Sequence, residues 1–118
     1  MSSLPDPLDA LAQDFLQAWQ DAHGVQSGRV FALSGADHLA IIIEGSFSKA
    51  ERKLAEEQSG ESLLREYATQ LLDNICVKMK LRIEQVVKRK VISSEVSVSP
   101  DTDQLIFLFK TDTVEDDS

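Results

Sequence analysis

The stretch Leu39-Ala40-Ile41-Ile42-Ile43-Glu44-Gly45-Ser46-Phe47-Ser48-Lys49-Ala50-Glu51 holds a strand, its end and a helix start in succession. Leu39 to Ile43 is apolar at every position, which predicts a strand over Leu39 to Glu44, central in its sheet and covered on both faces. Gly45-Ser46-Phe47 ends that strand. Ser48 and Glu51 stand three residues apart, the spacing of a capping box, and predict a short helix running to about Gln58 in which Ala50 and Leu54 pack inward.

Upstream of this stretch, Gly35-Ala36-Asp37 has the composition of a hairpin turn and Val30 to Ser34 that of its first strand. Before them, Leu8, Leu11, Ala12, Phe15, Trp19 and Ala22 recur at spacings of three and four. They predict an amphipathic helix over Asp6 to Ala22, with Asp6 as N-cap, Pro7 in the first turn and Gly24 as the stop. Downstream, Ser59-Gly60 is expected to break the chain before a longer helix from Glu61 towards Val87. Leu64, Ala68, Leu71, Ile75, Met79, Ile83 and Val86 form its main stripe. Leu63, Tyr67 and Leu72 widen the apolar surface, as in a helix that meets protein on two sides.

Val91 to Val98 alternates, with Ile92, Val96 and Val98 on one face. Ser99-Pro100-Asp101-Thr102-Asp103 supplies a turn, and Leu105 to Phe109 the last strand. The order is α-β-β-α-α-β-β. It predicts an α+β fold in which two hairpins form one four-stranded antiparallel sheet with helices packed on it. A single domain is expected over residues 6–111, flanked by a flexible N-terminus, 1–5, and a disordered acidic tail, 112–118.

Composition narrows the function. The 118 residues include 12 Lys and Arg against 20 Asp and Glu, a formal charge of −8. That balance argues against nucleic acid as a partner, because phosphate affinity needs excess positive charge. One cysteine excludes a disulfide framework, and the opening Met1-Ser2-Ser3-Leu4-Pro5-Asp6 lacks the pattern of a secretory signal. With no apolar run near the length of a membrane span, the expected compartment is the cytoplasm, with Cys76 a reduced, packed thiol.

The sequence contains no Gly-x-Ser-x-Gly elbow, no phosphate-cradling Gly-rich loop and no His-Glu-x-x-His. His23 and His38 lie in separate segments and read as surface or capping residues. The acidic pairs Glu56-Glu57, Asp101 with Asp103, and Asp116-Asp117 lie in solvated segments. The chain therefore reads as non-enzymatic, without cofactor or metal. Lys78, Lys80, Arg82, Lys88, Arg89 and Lys90 gather half of the positive charge near one helix end. There they complement its dipole and offer an anionic partner a contact.

Surplus apolar surface is more informative. Phe31 and Leu33, Ile42, and Ile106 and Leu108 fall on the sheet face opposite the one their strand neighbours occupy. An exposed apolar face of that size marks an interface. The expectation is a homodimer, formed through the sheet or through the long helix. It would bind a peptide or protein partner through Phe31, Ile42, Ile106 and Leu108, with Lys88, Arg89 and Lys90 at the rim favouring an acidic segment.

The run Ile43 to Ala55, with Gly60 and Leu63-Leu64 after it, resembles the MpsC family of small bacterial domains. Val91-Ile92-Ser93-Ser94 and Ser99-Pro100-Asp101 resemble that family's closing hairpin, and the resemblance covers about residues 8 to 111. It brings no catalytic residues with it. By association it implies an accessory role in a sodium-translocating, membrane-potential-generating system, or more broadly in cation or inorganic-carbon handling. Membrane contact would then come only through another protein. Two readings result: a dimeric adaptor or assembly chaperone, and an accessory subunit of such a membrane system that docks through the basic cluster at Lys88, Arg89 and Lys90.

Overall fold

The strand at the centre of the sequence is central in the molecule. In the computed structural model, which describes residues 6–112, β2 (His38–Glu44) lies between β1 (Arg29–Ser34) and β4 (Gln104–Thr111). β3 (Val91–Ser99) closes the other edge, giving the order β1-β2-β4-β3 with every pairing antiparallel. The two expected hairpins are present, joined through the non-sequential pair β2–β4. The residues on which most of the expected flexible ends fall, 1–5 and 113–118, lie outside the described residues. Asp112 is described, and its backbone N–H and carboxylate are both hydrogen-bonded to the backbone of Lys90.

Helix α1 (Pro7–His23) begins where Asp6 accepts a hydrogen bond from the Leu8 N–H, 2.8 Å. It ends at Gly24, whose φ of 86° is the left-handed conformation that a glycine adopts without steric cost. Leu11, Phe15 and Trp19 are fully buried from this helix. Phe15 packs edge-on against Phe107 of β4 at 4.8 Å between ring centroids. α3 (Gln58–Val87) buries Leu64, Ala68, Leu72, Ile75 and Ile83 beside it. Both helices cover the same sheet face, the one carrying Leu39, Ile41, Ile43, Leu105, Phe107, Phe109 and Val98.

Four details depart from the sequence expectation. β2 is covered on one face only: Leu39, Ile41 and Ile43 are buried, while Ala40 and Ile42 on the other side are half-buried. All the helices lie on one side, so nothing among the described residues covers the second face. Helix α2 (Lys49–Leu54) is shorter than expected, and Ala50 and Leu54 do not pack inward. Its start is held instead by the reciprocal Ser48–Glu51 capping bonds of 3.1 and 2.8 Å.

The third departure concerns Gly60, which does not interrupt the helix but lies in the first turn of α3. A Cβ there would fall within 2.9 Å of the Leu54 carbonyl carbon and nearer still to its oxygen. The glycine exists for the close approach of two backbones rather than for a break. The last departure is in β3, where the register shifts between Val91 and Ser93. The bulge turns Ile92 out to solvent, away from the face that Val96 and Val98 share.

Candidate functional site

The uncovered face of the sheet is built by strand register. Phe31, Ile42, Ile106 and Ser97 form one row across β1, β2, β4 and β3. Leu33, Ala40, Leu108 and Glu95 form the next. The four contact residues expected from the sequence, Phe31, Ile42, Ile106 and Leu108, are thus on one surface with Leu33, and the fold brings Ala40 in among them. Leu33 is the most exposed of the apolar set at 61%, with Phe31 at 45%. The period-two alternation that exposes Phe31 also exposes Leu33, so the signal for it was present in the sequence.

Polar groups border this patch along both ends of the strands. At one end, Arg29 forms an ion pair with Glu44 at 3.3 Å and lies 5.6 Å from the Phe31 ring centroid. Gln104 donates to the same Glu44 at 3.1 Å. At the other end stand His38, paired with Asp37 at 2.8 Å, and Lys110. An apolar centre with a polar, hydrogen-bonded rim is the anatomy of a protein-docking surface.

The basic residues divide by role. Arg89 directs its guanidinium at the carbonyls of Gly35 and Ala36, so it ties the β1–β2 turn to the α3–β3 corner. Lys88 ends α3 in the left-handed conformation, φ 60°, and it and Lys90 are exposed at that corner. The corner adjoins the end of the sheet that carries His38 and Lys110. Further along α3, Arg82 is paired with Asp14 of α1 at 3.0 Å.

His23 is not a surface residue. Its side chain is 2% exposed, stacked on Trp19 at 4.5 Å, with its Nε2 2.6 Å from Glu51 Oε2. Burial alone would raise the Glu51 carboxyl. The Ser48 N–H, the His23 ring and the Ser48 hydroxyl outweigh burial and hold it below its ordinary value. This contact ties the end of α1 to the capped start of α2. Cys76 is buried, and burial together with the nearby Asp73 carboxylate pushes its thiol up to about 11. That is the opposite of what a nucleophilic cysteine needs.

Asp103, expected from the sequence to be one of a solvated acidic pair, is half-buried and hydrogen-bonded instead. From a left-handed turn position, φ 52°, its carboxylate accepts the N–H groups of Ser46 and Phe47 at 3.1 and 3.0 Å. It joins the β3–β4 turn to the segment between β2 and α2. No group of three or more His, Cys, Asp or Glu residues among the described residues is placed to hold a metal ion. No helix among them is long and apolar enough to cross a membrane.

These features define a small two-layer α+β domain with a helix-covered inner face and an open, polar-rimmed apolar outer face. The family model described as Na+-translocating membrane potential-generating system (MpsC) matches residues 9–113. The chain belongs to the MpsC family. No match was found among the curated proteins or the solved structures.

Proposed function

We propose that this chain is a non-enzymatic accessory component of a membrane sodium system, held to that system by protein contact through its open sheet face. The family description supports the membrane sodium context. The observation that carries the docking mode is the one-sided placement of the helices, which leaves Phe31, Leu33, Ile42, Ile106 and Leu108 on an uncovered, polar-rimmed face. A soluble accessory protein that docks in this way needs neither a catalytic centre nor a spanning segment of its own. The basic corner at Lys88 and Lys90 lies at one end of this face and suits an acidic stretch of the partner.

The test is sedimentation of the full chain with membranes prepared from its own cells. The wild type is expected to sediment with native membranes and to stay in solution with protein-free vesicles of the extracted lipids. Phe31→Glu with Leu33→Glu, placed at exposed positions on the edge strand, should leave the circular dichroism unchanged and move the chain to the supernatant. Binding to the protein-free vesicles, or unchanged sedimentation of that variant, overturns the reading. Charge reversal at Lys88 and Lys90, at the rim of the face, should weaken sedimentation without abolishing it.

A further inference from the structure

Helix α3 carries a second stripe, about 150° round the helix from its buried one at the usual 100° per residue. It consists of Leu63, Tyr67, Gln70, Asn74, Val77 and Leu81, spaced alternately four and three residues apart. That is the spacing of a coiled-coil seam. Its four apolar members are among the most exposed large hydrophobic residues of the molecule: Leu63 63%, Tyr67 46%, Val77 79% and Leu81 72%. α1 and β3 pack on the other side of the helix and reach this stripe only at its margins, where the Tyr67 ring lies 6.4 Å from that of His23 and Val77 borders a pocket with Val91 and Ser94.

The stripe is symmetric about residue 72. Leu63 and Leu81 lie nine residues to either side, Tyr67 and Val77 five, and Gln70 and Asn74 two. A second α3 laid antiparallel across the midpoint therefore meets it in matched layers. Leu63 falls opposite Leu81 of the second copy and Tyr67 opposite Val77. Gln70 falls opposite Asn74, where the two amides can hydrogen-bond and fix the register. Each pairing occurs twice, as an isologous two-fold contact requires.

Charge follows the same symmetry. The N-terminal approach and first half of α3 carry Glu56, Glu57, Glu61 and Glu66 against Arg65, and the second half and its corner carry the six residues of the basic cluster against Asp73 and Glu84. Antiparallel pairing sets acidic end against basic end twice, with Glu66 beside Lys80 of the second copy. Parallel pairing would set like against like. Asp73, next to the axis, faces its own copy and opposes association.

We infer that the outer stripe of α3, Leu63 to Leu81, is the seam of an antiparallel coiled-coil homodimer of this chain. The seam spans about 27 Å of helix. It joins two copies helix-to-helix and leaves both open sheet faces pointing outward. The basic cluster then serves the dimer contact as well as the helix dipole. The dimer does not depend on what the sheet face binds.

Sedimentation velocity on the full chain, at concentrations up to on the order of 100 μM as suits a short seam, tests the inference. The wild type should approach twice the 13.1 kDa chain mass. Val77→Asp with Leu81→Asp, at positions exposed enough to leave the fold intact by circular dichroism, should sediment as a monomer. Glu66→Lys or Lys80→Glu alone breaks two symmetric contacts and should weaken the dimer about tenfold. The double exchange Glu66→Lys with Lys80→Glu should restore it, a result that only this register produces. A monomeric wild type overturns the inference, as do a dimer that survives Val77→Asp with Leu81→Asp and a double exchange without rescue. A dimer abolished instead by Phe31→Glu with Leu33→Glu assigns the contact to the sheet and overturns it equally.

Discussion

Gly60→Ala separates the local rule from the tertiary contact most cleanly, because the two demand opposite signs. In a helix interior, alanine is favoured over glycine by about 1 kcal/mol. Gly60 lies in the first turn of α3 with no positive φ to protect, so propensity alone forecasts a gain. The new methyl, however, would come within 2.9 Å of both the carbonyl carbon and the Cδ1 of Leu54, with the carbonyl oxygen closer still. The Leu54 side chain can rotate away, but its backbone cannot. Relief requires α2 and α3 to separate at their joint, and overpacking of that kind costs about 1–3 kcal/mol. Because the closest atoms are backbone, the cost falls in the upper part of that range, about 2–3 kcal/mol, and the balance is a net loss of about 1–2 kcal/mol, which for a domain of this size lowers Tm by roughly 4–8 °C. Thermal unfolding followed by circular dichroism measures it, with Ser59→Ala as the control, since Ser59 is exposed in the same turn and should move by less than about 0.5 kcal/mol. A Tm for Gly60→Ala at or above the wild type would refute the close-approach account of this glycine.

Lys88→Gly should act in the other direction. Lys88 holds a left-handed conformation, φ 60° and ψ 37°, at the end of α3, and removing its Cβ should raise the denaturation midpoint by the equivalent of about 1 kcal/mol. Arg89→Ala should lower stability by about 1–2 kcal/mol by freeing the Gly35 and Ala36 carbonyls, while Lys90→Ala, at an exposed side chain, leaves it unchanged. Equal effects would mean that Arg89 is no tie. Glu51 ionises more readily folded than unfolded, so its contribution is present above the ordinary carboxyl value of 4.5 and is lost as the pH falls through the folded-state value below it. Glu51→Gln should flatten that acid limb of the stability curve in pH-dependent denaturation, and an unchanged limb would show that the Ser48 and His23 contacts do not favour the charged carboxyl.

Most of the architecture could be read from local patterns because each element carries its own start and stop. Asp6 and Gly24 delimit α1, Ser48 with Glu51 opens α2, and Gly35-Ala36-Asp37 and Pro100 to Asp103 turn the two hairpins. Alternation along the strands also gave the outer face, since side chains two residues apart must share a side once the inner set is buried. Phe31, Ile42, Ile106 and Leu108 were identifiable for that reason. The contacts of His23 and Asp103 were not, because each joins segments far apart in the chain. Glu51 is 28 residues from His23, and Phe47 is 56 from Asp103. No local window contains either pair.

The strand at Leu39 to Ile43 shows the division most plainly. Its unbroken apolar character is enough to specify a central strand, since no edge position would tolerate such a surface on both sides. Which of its two faces this chain covers was settled only when α1 and α3 packed on the same side, around Phe15, Phe107 and Phe109. Helix placement is a matter of volume and connection length, which the composition of a single strand does not encode. The sequence specifies by its own periodicity that Ile42 and the outer stripe of α3 are apolar. Their exposure is a property of the assembled layers.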